Sequence, residues 1–347
     1  MIFRRLFSLV PVVFLITAAL AFGSGNKEAT SASKPAGKGY TIGFSNSYAG
    51  NTYRQTEQAL FKQLADKMVA NGTLKSYTML LSNNNVATQV SQIESLVLDG
   101  VSAIIIDPGS ASGLNGAIAK AHQAGIPVII VNDGPVTSTE CYQINFDTTA
   151  MATKAVDHLA ALTYDKGNII EIRGQAGVPF DTNFHDAVIA ALKKFPNIKI
   201  VGSVYGQWTT SIAQQQVASI LPSMPHIDGV LGQGGDAYGA LQAFEAAGRP
   251  IPIVIGGNRG NFLTWWAKEK AKNGYKTFSW AANPWSAASA LYVAVDILNG
   301  VKVPMTMIMP ALDITQSMVD NFTNLKANEV AAKGYDHAWI EKTYYKE

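Results

Sequence analysis

Only one cysteine, Cys141, occurs in the 347 residues, so no disulfide can close within the chain and no cysteine near the N-terminus is available to carry a lipid. Charge is sparse too. Lys and Arg total 27 against 25 Asp and Glu, 15% of the residues together, and the basic ones form no stripe. The field needed to hold nucleic-acid phosphates is therefore missing, and no nucleic-acid partner is expected.

Catalytic signatures are absent as well. There is no Walker A run, no HExxH, no CxxC and no GxSxG elbow, and His122, His158, His185, His226 and His337 fall into no metal-ligand spacing. Neither a metal nor a cofactor is expected. Cys141 has no basic neighbour to lower its pKa and reads as a buried structural thiol. Gly232-Gln-Gly234-Gly-Asp-Ala237 matches the GxGxxA form of a dinucleotide fingerprint, but the next strand ends in Gly256-Gly-Asn258 without an acid for a ribose, and Glu245 lies inside the helix. It reads instead as a tight glycine turn that brings Asp236 toward a ligand.

What the chain does have is apolar material, 48% of residues, enough for two domains. At the N-terminus Arg4 and Arg5 precede an apolar run over 6–21, followed by Ala21, Gly23, Ser24 and Gly25. That is the layout of a secretory signal over 1–23, with an uncleaved membrane anchor as the alternative. Residues 24–39 are Ser, Ala, Lys, Gly and Pro in the main, a flexible leader, and the folded body begins near Tyr40. An exported, periplasmic protein without a lipid anchor is expected.

From Tyr40 on, apolar runs rich in β-branched residues alternate with segments of helical period, which predicts βαβ units and parallel sheets. Strands are predicted at 40–45, 77–82, 103–106 and 127–131, with helices at 56–69, 86–98 and 114–124 between them. The pattern restarts after Phe146, with helices at 149–162, 186–194, 212–221 and 238–247 and strands at 168–172, 199–205, 229–231 and 251–255. A strand at 277–280 and a helix at 286–298, ended by Asn299-Gly300, then lead back to the first half. The expected fold is α/β, with two similar doubly wound lobes: 40–146 plus 283–310, and 147–282 plus 311–347. The length of the tail from Leu312 to Glu347 exceeds what this return requires.

The halves echo one another. Ala121-His-Gln-Ala-Gly125-Ile-Pro127 leads into a strand ending in Asn132-Asp133, and Ala246-Ala-Gly248-Arg-Pro250 into one ending in Asn258-Arg259. Polar residues thus stand at the carboxyl ends of strands, where open α/β sheets bind ligands. A sugar offers apolar C–H faces and a ring of hydroxyls, which call for aromatic platforms and in-plane amides, acids and arginines. Candidates are Ser47, Asn51, Tyr53 and Arg54 after the first strand, Asn132 and Asp133 after the fourth, and Phe180, Asp181, Trp208, Asp236, Asn258, Arg259, Asn283 and Trp285 in the second half. Each aromatic taken alone fits core packing better than a site. Their recurrence at corresponding sheet edges is what points to a site.

At Ile42-Gly-Phe-Ser-Asn-Ser47, Asp107-Pro108, Ala124-Gly-Ile-Pro-Val-Ile129 and Leu231-Gly-Gln-Gly-Gly-Asp236 with Gly239-Ala240, the chain resembles the ribose-type (type I) periplasmic binding proteins of sugar ABC transporters. The resemblance implies two lobes joined by three crossing strands, hinge closure on a ligand, a membrane permease as partner, a monomer, and no catalysis. It places sugar contacts on Ser47, Asn51, Tyr53, Arg54, Asn132 and Asp133, an aromatic wall on Trp208, and further contacts on the 234–236 loop, Asn258 and Asn283. The family's aspartate–arginine pair reads Asn132-Asp133 here, and the segment around Asn183 and Phe184 lacks its arginine. These departures point away from ribose itself and, with Arg54 and Arg259 placed to replace the missing arginines from different directions, toward a differently oriented sugar, a polyol or an acidic sugar derivative. Tyr53 and Trp208 are the pair expected to sandwich it. A periplasmic sensor subunit for a chemoreceptor or histidine kinase would use the same fold and site, and an exported enzyme acting on a sugar would need a close acid–base pair.

Overall fold

The computed structural model describes residues 39–132 and 134–345. The expected signal, nearly all of the leader, and Asp133 lie outside the described residues.

β1 (Tyr40–Asn46) runs into α1 (Thr52–Ala70), and the alternation continues through β2 (Leu74–Leu81), α2 (Val86–Leu98), β3 (Ala103–Asp107), α3 (Asn115–Gln123), β4 (Val128–Asn132) and β5 (Tyr142–Asn145). With a late strand at Thr306–Ile308 these make a six-stranded sheet, ordered late strand, β5, β4, β3, β1, β2, every pairing parallel. One face buries Ile42, Phe44, Ile105, Ile129 and Val131, the other Ile104, Ile106, Val128 and Ile130. A parallel strand covered on both sides has no polar face, which is why β3 and β4 are continuous apolar runs in the sequence.

The chain then enters α4 (Thr148–Thr163), β6 (Lys166–Arg173), α5 (Pro179–Leu192), β7 (Asn197–Tyr205), α6 (Thr210–Ile220), β8 (Gly229–Gly232), α7 (Ala237–Ala246), β9 (Ile253–Ile255) and α8 (Gly260–Asn273). Its four strands form a second parallel sheet, ordered β7, β6, β8, β9. Two helices of this lobe differ from the sequence-based expectation. α5, expected from 186, starts at Pro179, because Phe180, Asp181 and Phe184 are all buried and the proline's missing N–H costs nothing in a first turn. α8 has no predicted counterpart, since Thr264, Trp265 and Trp266 are modest helix formers. Burial of Phe262, Leu263 and Trp266 in the second core overrides that preference.

β10 (Ser279–Ala281) borders the second sheet through a parallel bridge from Ser279 to Gly256. The chain returns through α9 (Ser286–Leu298), packed on α1, β3 and β4, into the late strand, β11 (Thr306–Ile308). β12 (Leu312–Ile314) then pairs antiparallel with β10. Three passages therefore join two α/β lobes.

The tail, expected to belong wholly to the second lobe, divides. β12 pairs with β10, but α10 (His337–Tyr344) packs on α9. Asp296 of α9 is buried and needs partners there; it lies 2.9 Å from His337 Nε2 and accepts a 2.8 Å hydrogen bond from Tyr345 Oη.

Candidate functional site

The carboxyl ends of β1, β3, β4 and β5 lie side by side, since the register pairs Asn46 with Asp107 and Asn132 with Asn145. α1 begins immediately beyond β1. Asn51 caps it, its side-chain oxygen accepting from the Arg54 amide at 2.9 Å, and this holds Tyr53 and Arg54 in the first turn, over the sheet edge. The Arg54 guanidinium is 3% exposed, 3.2 Å from Glu57 and paired with Asp107. Asn132 has a left-handed backbone (φ 56°), which asparagine tolerates better than most residues. Its amide donates to Asp107 at 3.0 Å and to Glu57, while its carbonyl accepts from Tyr53 Oη at 3.1 Å and from Ser286 Oγ. The result is a network in which each polar group fixes the next, built from α1, β3, β4 and α9.

The facing wall comes from the second lobe. Gln207 and Trp208 both have left-handed backbones, φ 52° and 51°, in the turn after β7. The Trp208 ring lies directly over Gly174, where a Cβ would stand 2.1 Å from Cζ2, so only glycine admits the indole. Phe180 meets the ring edge-on, 6.2 Å between centroids. Arg259 donates to the Trp208 carbonyl at 2.8 Å and to Thr210 Oγ1 at 3.3 Å, with its guanidinium flat against Gly235, where a Cβ would come 2.1 Å from Nε. Burial lowers the Arg259 pKa, opposed by the charges of Asp236 and Tyr48.

Between these walls lies a cleft enclosing about 590 Å³ of empty space, open mouth included. Of the expected site residues it brings together Asn51, Tyr53, Arg54, Asn132, Phe180, Trp208, Asn258 and Arg259. Asn258 is largely committed, its amide donating to Leu312 O at 2.6 Å and its carbonyl accepting from Ser279 Oγ at 2.6 Å.

Four expected contacts are placed behind the cleft surface instead. Asp181 is turned inward to Arg173 (2.6 Å) and the Gly174 amide (2.8 Å), holding the loop beneath Trp208. Asp236 is fully buried among the described residues, with neither carboxylate oxygen hydrogen-bonded; burial raises its pKa to about 7, against the pull of Arg259. Asn283 spends its amide on Lys333 O, 2.7 Å away. Ser47 is buried with its amide on Asp107 O at 3.1 Å, fixing the end of β1. Trp285 likewise turns from the cleft, its indole N–H donating to Tyr335 O at 2.8 Å. Asp133, the remaining expected contact, lies outside the described residues. Cys141 is buried away from the cleft, where burial pushes its thiol up to about 11.

The cleft also uses residues the sequence did not single out for it: Phe146, Gln233, Ala281 and Val330. Gln233 sits inside the glycine turn and Phe146 directly after β5, so strand-end position is a signal for both. Its side-chain oxygen ties Gln233 to the Gly174 amide at 3.0 Å. Val330 has no such signal, being far along the tail.

Two doubly wound lobes, joined by three passages and facing one another across a cleft at their strand ends, define a bilobal binding protein. The chain belongs to the periplasmic binding protein family, whose domain matches residues 42–302. It is 35% identical to the xylitol-binding protein of Mycolicibacterium smegmatis over 176 residues, 50% of this chain and 50% of that one, so the chain spans about half the length of this curated relative. To the D-apiose import binding protein of Paraburkholderia graminis it is 27% identical over 217 residues, 59% of this chain and 67% of that one. The crystal structure of an ABC transporter solute-binding protein from Thermobispora bispora superposes with a TM-score of 0.82 at 31% identity, covering 87% of this chain and 94% of that one.

Proposed function

We propose that this protein is the extracytoplasmic receptor of an ABC importer for a neutral sugar or polyol, capturing its ligand between the lobes and presenting the closed form to a membrane permease without catalysing a reaction. One observation carries the reading: both lobes line a single cleft whose walls combine aromatic faces, Tyr53 and Trp208, with guanidinium groups, Arg54 and Arg259, held in place by their own partners. Hydroxyls meet the guanidinium groups, and C–H faces meet the rings. The names of the xylitol-binding and D-apiose-binding relatives support the same ligand class. Export through the N-terminal signal and action as a monomer belong to this reading.

The lobes of the receptor are 40–146 with 283–310 and 147–282 with the first part of the tail, α10 travelling with the first. Ligand selects the closed form because only there do both walls touch it. The test is thermal melting of the chain from Tyr40 onward against pentoses, hexoses, polyols, sugar acids and nucleosides, with each hit repeated on Trp208→Ala. A rise for one neutral sugar or polyol class, lost in the variant, is the expected result; a flat panel, or turnover of a panel member, overturns the reading.

A further inference from the structure

The tail continues past β12, the last paired strand, yet its contacts are dense and fall on both lobes. Around 326–331 it lies along the start of α8: the Gly260 amide donates to Glu329 O at 2.9 Å, Asn261 to Ala327 O at 3.1 Å and Ala331 to Asn258 O at 2.8 Å, and Val330 forms an antiparallel bridge with Arg259. Next it binds the passage between lobes, where Asn283 and Trp285 donate to Lys333 O and Tyr335 O at 2.7 and 2.8 Å. Finally α10 docks on α9 of the first lobe, where Asp296 takes His337 and Tyr345, and Trp339 stacks on Tyr335 with centroids 3.8 Å apart.

The tail is thus a fourth tie between the lobes, running beside the three passages. Where it crosses the second lobe it inserts Val330 into the cleft lining next to Arg259, with 7% of the residue exposed. The backbone bridge of Val330 to Arg259 and the hydrogen bond from the next amide, Ala331, to Asn258 O leave this side chain little room to retreat.

We propose that residues 326–345 form a strap whose Val330 side chain sets the upper size of the ligand, with the α10 dock on Asp296 positioning that wall. The proposal rests on the sugar-or-polyol reading of the cleft. A branched apolar wall with no hydrogen bond to give cannot reward an added CHOH unit and can only collide with it, so the strap acts by exclusion.

The experiment is titration calorimetry of the chain from Tyr40 onward with glycerol, xylitol, sorbitol, ribose and glucose, comparing wild type with Val330→Ala, Val330→Phe and Asp296→Asn. Val330→Phe is expected to weaken the largest ligand bound by wild type about tenfold more than the smallest, and Val330→Ala to shift preference toward larger ligands, since one methylene-sized change in a pocket is worth about tenfold or more. Asp296→Asn is expected to flatten this size ranking, which a purely structural role for the dock would leave unchanged while lowering melting temperature alone. Equal effects of both Val330 variants on every ligand, or no effect, overturn the strap while leaving the receptor reading intact. Should Val330→Phe fail to fold, Val330→Ala carries the comparison by itself. A wild type that binds none of the five overturns the receptor reading, and the strap proposal with it.

Discussion

Trp208 and Asp236 show how differently neighbouring residues can serve one cleft. Trp208 presents its ring to the opening, supported from below by Gly174 and from the side by Phe180. Trp208→Ala is therefore expected to weaken binding of the proposed sugar or polyol about tenfold, or ~1.4 kcal/mol, measured by titration calorimetry. Gly174→Ala should reproduce that loss by displacing the intact indole, and should also lower the melting temperature, because overpacking costs about 1–3 kcal/mol. Asp236 never reaches the ligand side, but it carries a pH dependence. Its carboxyl, ordinarily near 3.8, titrates at about 7 in the folded protein. Between those values the unfolded chain has released the proton and the folded one retains it, so stability falls as pH rises from about 4 to 7, by on the order of a few kcal/mol. Urea melts at pH 4, 6 and 8 should show Asp236→Asn gaining on wild type as pH rises, with the two converging near pH 4.

Among the elements, α1 couples fold to site most directly. Its cap, Asn51, holds the turn that carries Tyr53 and Arg54, and Asn51→Ala should cost about 1 kcal/mol by denaturant titration and weaken ligand binding as well. Asn85 caps α2 in the same way, accepting from the Thr88 amide at 2.9 Å, and α2 contributes nothing to the cleft lining. Asn85→Ala is therefore expected to cost similar stability with binding unchanged, separating the loss of a helix cap from the loss of a positioned site. α9 works by burial instead: Ala287, Ala288, Ala290, Leu291, Val293 and Ala294 are all buried, and the four alanines let the helix approach α1 and the sheet closely. That seat is what allows Ser286, at its first turn, to reach Asn132.

At the scale of the whole molecule, the proposed capture between two lobes makes closure part of binding. Small-angle scattering should show a smaller radius of gyration in the ligand-saturated protein than in the free one. Ligand at about one hundred times its Kd should stabilise the fold by ~2.7 kcal/mol. A raised melting temperature with an unchanged radius would mean capture without lobe movement. The alternation of strands and helices that builds both lobes was legible from Tyr40 on, and so was the return through 286–298, because apolar periodicity is a local property and these strands are buried on both faces. The strand-end positions of the cleft were legible for the same reason: a parallel sheet places its carboxyl ends together wherever it forms. What only the tertiary structure decided was the direction in which each strand-end side chain turns and what the tail does. Asp181 and Asp236 are residue types suited to binding a sugar but turn inward, one to Arg173 and the other into a buried site within the influence of Arg259. Val330 reaches the cleft through a bridge to Arg259, 71 positions away by their numbers, 330 less 259. Side-chain direction depends on which groups compete for each hydrogen bond and each volume, and those competitors come from distant parts of the chain, so no local pattern records the outcome.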